Sequence, residues 1–143
     1  MLVDANILLY SVTSASPYHE AAREWIEQAL NGPRRVAIPW LSFWAFVRIS
    51  TNPRVSDQAL DPSEAWEFVD DWRRAPATWI PEPGRGHADI VRDLFARHHV
   101  RAALVTDVVL TALCIEHGLE MISNDSDFAR FDEIRWINPV APR

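Results

Sequence analysis

Apolar positions along this chain alternate between two rhythms, which together predict strands interleaved with helices. Short unbroken apolar runs mark strands, and apolar residues three and four apart mark amphipathic helices. Met1 to Asp4 reads as a short buried strand, with a brief helix from Asn6. Ser16-Pro17 predicts an N-cap followed by proline at the first helical position. The helix it opens carries Ala21, Ala22, Trp25, Ile26 and Ala29 on one face and stops at Asn31-Gly32-Pro33. Val36 to Ile38 predicts a second strand. Pro39 to about Ser50 predicts an aromatic-rich helix, closed by the turn Thr51-Asn52-Pro53.

Asp61-Pro62-Ser63-Glu64 is a capping box with proline at the first helical position, opening a helix to about Arg74. Ala77 to Ile80 is a third strand. Gly84 or Gly86 leads into a helix with Ile90, Val91, Leu94 and Phe95 inward. A further helix runs from about Thr106 to Gly118, a C′ glycine. Leu119 to Ser123 is a fourth strand and Arg135 to Ile137 a short fifth. Strands that alternate with helices and are apolar enough to be buried on both faces specify an α/β fold, a parallel sheet between helical layers.

Composition narrows the chemistry. At 143 residues, with about half of them apolar, the chain is expected to be a single domain spanning residues 1–143. Cys114 is the only cysteine, so neither an intramolecular disulfide nor a cysteine-cluster zinc site is available. The opening Met1-Leu2-Val3-Asp4 lacks the basic and apolar run of a secretory signal. No stretch approaches the roughly 18–20 apolar residues of a membrane span, so the expected location is the cytoplasm. The formal charge of −6 argues against holding nucleic acid by bulk electrostatics, and suits an acid cluster offset by metal or a basic partner. All the basic residues are arginine, which fits phosphate well and also fits plain base bias in the genome. Most of the seven tryptophans are expected in the core or at a subunit interface, leaving one or two free to stack.

Ligand sites of open parallel sheets collect beyond the carboxyl ends of the strands. Asp4 falls at the end of the first strand, and Asp125 and Asp127 fall just past the fourth. Asp107 opens the helix before that strand. Each has an ordinary reading alone, as a turn or cap residue. Gathering them is costly, because two carboxylates about 4 Å apart repel by roughly 4 kcal/mol at an effective dielectric near 20. Oxygen-only ligands favour magnesium or manganese over zinc, and such an ion is suited to attack on a phosphate ester.

The same residues carry a family likeness. Val3-Asp4-Ala5-Asn6 resembles the opening motif of PIN-domain nucleases. Val105-Thr106-Asp107 and Ser123-Asn124-Asp125-Ser126-Asp127-Phe128 resemble the motifs bearing the later acids. Phe46-Val47-Arg48, Thr51-Asn52-Pro53-Arg54-Val55, Cys114-Ile115-Glu116-His117-Gly118, Asp127-Phe128-Ala129-Arg130-Phe131 and Trp136-Ile137-Asn138-Pro139 are similar to the actinobacterial branch of VapC toxins. The likeness spans essentially the whole chain in order.

That resemblance implies a three-layer α/β/α fold with about five parallel strands, and a homodimer with one acidic site per subunit. It further implies Mg2+-dependent cleavage of RNA, often in tRNA or rRNA loops, with Mn2+ able to substitute and a VapB-type antitoxin as inhibitor. Asp4 and Asp107 would be the principal metal ligands, and Asp125 with Asp127 would complete the set. Asn6 and Ser123 would orient carboxylates, with a helix cap and a plain strand end as their alternative readings. Arg48 would touch RNA phosphate, or form a salt bridge to a nearby acid.

One position departs from the pattern. Family members usually carry a glutamate immediately before the stretch matching Phe46-Val47-Arg48, and Ala45 stands there. Some relatives tolerate a small residue at that place; an inactivating substitution is the other explanation. Glu116 is no replacement, being nine residues from Asp107, about 13 Å along a helix. Two rival readings follow: a weakened or inactive module that binds RNA or antitoxin without cutting, and, more distantly, a metal-dependent phosphatase. The latter wants a second aspartate at position 6, where the chain has Asn6.

Overall fold

The computed structural model describes residues 1–141. In chain order its elements are β1 (Leu2–Val3), α1 (Ala5–Val12), α2 (His19–Leu30), β2 (Val36–Ala37), α3 (Trp40–Ser50) and α4 (Pro62–Arg74). Then come β3 (Thr78–Trp79), α5 (His87–His98), α6 (Leu104–His117), β4 (Met121–Ile122), a 3-10 turn (Ser126–Arg130) and β5 (Trp136–Ile137). All strand pairs are parallel, in the order β3-β2-β1-β4-β5.

Neighbouring strand residues point to opposite faces, and here that alternation builds two cores. Val3, Val36 and Ile122 enter one core, with residues from α1, α2, α3 and α4. Leu2, Ala37 and Met121 enter the other, with α5, α6 and the 3-10 turn. Helices therefore cover both faces, the three-layer α/β/α arrangement expected from strands without a polar side. β1 is central, and Leu2 and Val3 are wholly buried. Burial of each such side chain is worth about 1.5–3 kcal/mol, so the strand that ends at Asp4 is firmly held.

Several local expectations need correcting. Ser16 does not cap α2. Its hydroxyl accepts from the Tyr18 N–H within a turn, and the helix begins at His19 without a side-chain cap. Proline 17 thus shapes the approach, not the first helical position. Ala21 is exposed, and Leu30 joins Ala22 and Ile26 on the buried face. Phe95 is exposed, while Leu94 is the buried residue of α5. Helix α6 starts at Leu104, after a tight turn in which Leu104 and Val105 donate to the carbonyls of Arg101 and Ala102. Asp107 consequently lies within the first turn, not at its opening. The capping box of α4 forms, with Glu64 accepting from the Asp61 N–H at 2.8 Å, and Gly118 ends α6 at φ 63°.

Two tryptophans remain exposed, Trp44 and Trp66. They stack on each other and on Trp40, at ring-centroid distances of 5.1 to 6.5 Å, across the outer side of α3 and α4. Among the described residues no helix is long and apolar enough to cross a membrane.

Candidate active site

The carboxyl ends of β1 and β4 lie side by side, because Leu2 pairs with Met121 and Val3 with Ile122. Asp4 and Ser123, the next residue on each strand, are therefore brought together although 119 positions apart. Ser123 Oγ is a hub. It donates to Asp4 Oδ2 at 2.8 Å and accepts from Asn6 Nδ2 at 2.8 Å and from the Asp125 N–H at 3.0 Å. Asn6 Nδ2 also reaches Asp4 Oδ2 at 2.9 Å, and Asn6 Oδ1 accepts from the Asn124 N–H at 3.3 Å. One amide and one hydroxyl thus tie the start of α1 to the loop after β4.

Asp4 itself caps α1, its Oδ1 accepting from the Ala5 N–H at 2.7 Å. Burial raises its pKa most; the bonds from Ser123 and Ala5 pull it back, and the charge on Asp125 raises it again. Every partner of this carboxylate is a donor. An asparagine there would turn an amide nitrogen toward one of them, so Asp4→Asn is expected to cost about 1–3 kcal/mol of stability. A thermal melt in EDTA checks this: an unchanged or raised midpoint would show that these bonds contribute nothing.

Asp107 differs. It accepts no hydrogen bond among the described residues, and its pKa is pushed up to about 6, first by partial burial and then by the charges on Asp125, Asp4 and Asp127, with Arg130 opposing. Asp107, Asp125 and Asp127 can each present a carboxylate oxygen such that all three lie within 4.8 Å of one another. Asp125 also caps the 3-10 turn, accepting from the Asp127 N–H at 2.9 Å. The only cation on the cluster is Arg130, 3.6 Å from Asp127 among the described residues. Asp4 is not part of this three-oxygen set; its carboxylate faces Asn6 and Ser123, and it acts on Asp107 through its charge. The set is hard oxygen with negative charge that Arg130 offsets only in part, which fits Mg2+ or Mn2+ and not a soft thiophilic metal.

The third helix is seated on the same edge. Ser42 Oγ, buried, donates to the Val3 carbonyl at 2.8 Å. Ala45 is half-buried one turn further along α3 and brings no carboxylate. Arg48, one turn beyond that, is exposed, and it has no ion pair among the described residues. Glu116 lies at the far end of α6, accepting from the Gly84 N–H and sitting 3.2 Å from His87 Nδ1.

Four residues have positioning roles that the sequence reading did not assign. Asn138 Nδ2 donates to Asn124 Oδ1 at 2.8 Å, Asn124 Nδ2 donates to the Tyr10 hydroxyl at 3.4 Å, and Trp136 Nε1 donates to the Ser123 carbonyl at 2.9 Å. Together they tie β5 and α1 to the acid-bearing loop. Asn124 was visible inside its motif, but nothing in the spacing marked Tyr10 as its partner.

Comparison with known proteins bears on the family and the fold. The model of the PIN domain matches residues 1–134. The chain is 39% identical over 140 residues to "Ribonuclease VapC37" of Mycobacterium tuberculosis, covering 98% of this chain and 97% of that one. The fold superposes on Mycobacterium tuberculosis VapC20, described as a sarcin-ricin loop cleaving toxin, with a TM-score of 0.69 at 15% identity, covering 94% of this chain and 98% of that one. It also superposes on a chain of VapBC2 from Rickettsia felis bound to a promoter DNA fragment, with a TM-score of 0.66 at 11% identity and 96% of each chain covered.

Proposed function

The chain belongs to the PIN-domain family, and on that premise we propose that it is a Mg2+-dependent endoribonuclease, the toxin of a VapBC-type toxin–antitoxin pair. The observation that carries this reading is the meeting of Asp107, Asp125 and Asp127 at the carboxyl edge of the sheet, with Asp4 beside them. These four carboxylates would hold the ion, Asp4 directly or through water. When bound, the ion would supply Lewis-acid chemistry, lowering the pKa of a water and offsetting charge on the phosphate. The protein's own part is to keep the carboxylates in place: Asn6 and Ser123 fix the Asp4 side chain, and the hub at Ser123 fixes the loop bearing Asp125. Arg48, which has no acidic partner among the described residues, would hold RNA phosphate.

The substrate class is structured RNA with exposed loops, as in tRNA or rRNA, met in the cytoplasm by a homodimer with one acidic site per subunit. Cleavage of such RNA in Mg2+, sustained in Mn2+ and abolished by EDTA, is the expected result. A well-folded protein inert in both metals would favour the second reading, a PIN module that binds without cutting, which the missing carboxylate at Ala45 motivates.

The partner is a VapB-type antitoxin whose tail carries an arginine or lysine. Such a side chain would pair with the acidic cluster in place of metal, while apolar residues of the tail cover the exposed face of Trp44 and Trp66. The complex is expected to cut RNA far more slowly than the free chain. A complex as active as the free chain, with its tail away from Asp4, would overturn this assignment.

A further inference from the structure

A cavity of about 380 Å³ lies between α1, the last turn of α3 and the loop over residues 51–60. None of the residues lining it is charged, in a chain where 24% of residues are. It adjoins the acidic site without belonging to it. Tyr10 is on its wall, one turn along α1 from Asn6, and the same tyrosine's hydroxyl takes the bond from Asn124 in the acid-bearing loop. Four residues of helix span about 6 Å, so the Tyr10 wall of the cavity stands about that far along α1 from Asn6, the residue that holds Asp4.

Its chemistry selects among occupants. The walls are Leu9, Val12, Ile49, Val55 and Leu60 with the Tyr10 side chain, and Val55 at the rim is 62% exposed. The hydroxyl groups are largely committed to their own backbone: Thr13 donates to the Leu9 carbonyl, and Ser56 accepts from the Gln58 N–H. The Gln58 side-chain amide has no hydrogen-bond partner among the described residues, so its NH2 donors and its acceptor oxygen stand free at the cavity. Arg48 and Arg54 are the sequence neighbours of two lining residues, Ile49 and Val55. Both are exposed, and neither has an acidic partner among the described residues. A basic peptide tail would be repelled by these two cations. A flat neutral group carried between phosphates would not.

We propose that this cavity is a nucleobase subsite, which takes the base of the nucleotide adjoining the scissile phosphate while Arg48 and Arg54 hold the flanking phosphates. The base lies on the Tyr10 side of the cavity among apolar walls, and the Gln58 amide reads its hydrogen-bonding edge, as sites for unstacked bases do. The inference rests on the ribonuclease reading and gives it a source of sequence preference.

The test uses Ala15→Trp, which fills the cavity from its exposed mouth, beside Gln58→Ala. Two readouts are taken: cleavage in Mg2+ of an RNA with a randomised loop, its ends sequenced, and binding of short RNAs of each single base in Ca2+. Wild type is expected to show a base preference at one position beside the cut and the same preference in binding. Ala15→Trp is expected to lower cleavage and binding of the preferred RNA by about tenfold, the worth of one stacked base, with the disfavoured RNAs and the thermal melt unchanged. Gln58→Ala is expected to relax the preference and leave overall binding nearly intact. A preference that survives Ala15→Trp in a normally melting protein overturns the proposal. So does loss of antitoxin binding with RNA preference intact, which would assign the cavity to a protein side chain. Absence of cleavage with the binding preference present, and lost in Ala15→Trp, would leave the subsite standing and remove the ribonuclease reading instead.

Discussion

Asp107→Asn is expected to lower RNA cleavage on the order of a thousandfold or more, while leaving the metal-free protein as stable as before or more so. Asparagine keeps the size and removes the charge from a member of the three-oxygen set. Loss of a single charge-stabilising contact commonly costs about 10²–10³ in rate, and a metal ligand also positions the ion itself. The stability effect has the opposite direction because Asp107 forms no side-chain hydrogen bond among the described residues that the amide would forfeit.

Its sign can be worked out from the raised pKa. The folded chain binds the Asp107 proton more tightly than the unfolded chain does, about 6 against 3.8. The stability this confers is fully present below pH 3.8 and is lost as pH rises through 6. Metal-free wild type should therefore melt lower at pH 7.5 than Asp107→Asn does, and the gap should close by pH 4. Adding Mg2+ should raise the wild-type melt at pH 7.5 and leave Asp107→Asn nearly unmoved. An Asp107→Asn protein that melts lower than wild type in EDTA at pH 7.5, or that retains cleavage, would make the aspartate structural. The contrast with Asp4→Asn is diagnostic, since that change removes a more deeply buried charge and also turns an amide nitrogen toward the donors on one side of the carboxylate, Ala5 or the pair Asn6 and Ser123.

How far the site was legible in the sequence follows from what one-dimensional spacing can carry. Asp4 and Ser123 each follow a short apolar run, and the carboxyl ends of parallel strands share an edge, so their meeting was foreseeable. So were the order of elements, the capping box of α4 and the glycine that ends α6. Orientation was not foreseeable. Whether the Asp4 carboxylate turns toward Asp107 or toward Asn6 and Ser123 depends on hydrogen bonds between segments far apart in the chain. The start of α6 was misplaced because Thr106-Asp107 carries a good capping signal, whereas Arg101-Ala102-Ala103 carries none and is bent by the backbone alone. The strands proved shorter than their apolar runs, since burial continues after the ladder of hydrogen bonds has ended: Ile38 is fully buried beyond β2. The cavity beside Tyr10 was invisible for a similar reason. Its walls come from α1, α3 and the 51–60 loop, whose apolar residues read one by one as ordinary core.

Restoring a carboxylate at position 45 is expected to strengthen the metal site and to reveal itself through stability effects of opposite sign. Ser42 anchors α3 to the end of β1 through its 2.8 Å bond to Val3. Residues three apart on a helix share a face, so position 45 rises from the side of α3 that begins next to Asp4. Its alanine is half-buried, leaving room for a longer side chain to reach outward along the sheet edge. Mg2+ retains waters and accepts ligands through them, so on the proposed reading the present carboxylates would bind it with solvent completing the shell. Wild type should then need raised Mg2+, and Mn2+ should serve better. Ala45→Glu should lower the Mg2+ concentration for half-maximal cleavage by about tenfold, equivalent to about 1.4 kcal/mol. Without metal the same change adds a fifth acid beside four, two of which already have raised pKa values, so the melt in EDTA should fall. With saturating Mg2+ it should rise above wild type. An added surface glutamate unrelated to the site would shift both melts alike and leave the titration where it was. A Mg2+ dependence unchanged by Ala45→Glu would place residue 45 outside the site and end the match between α3 and the family's acidic helix.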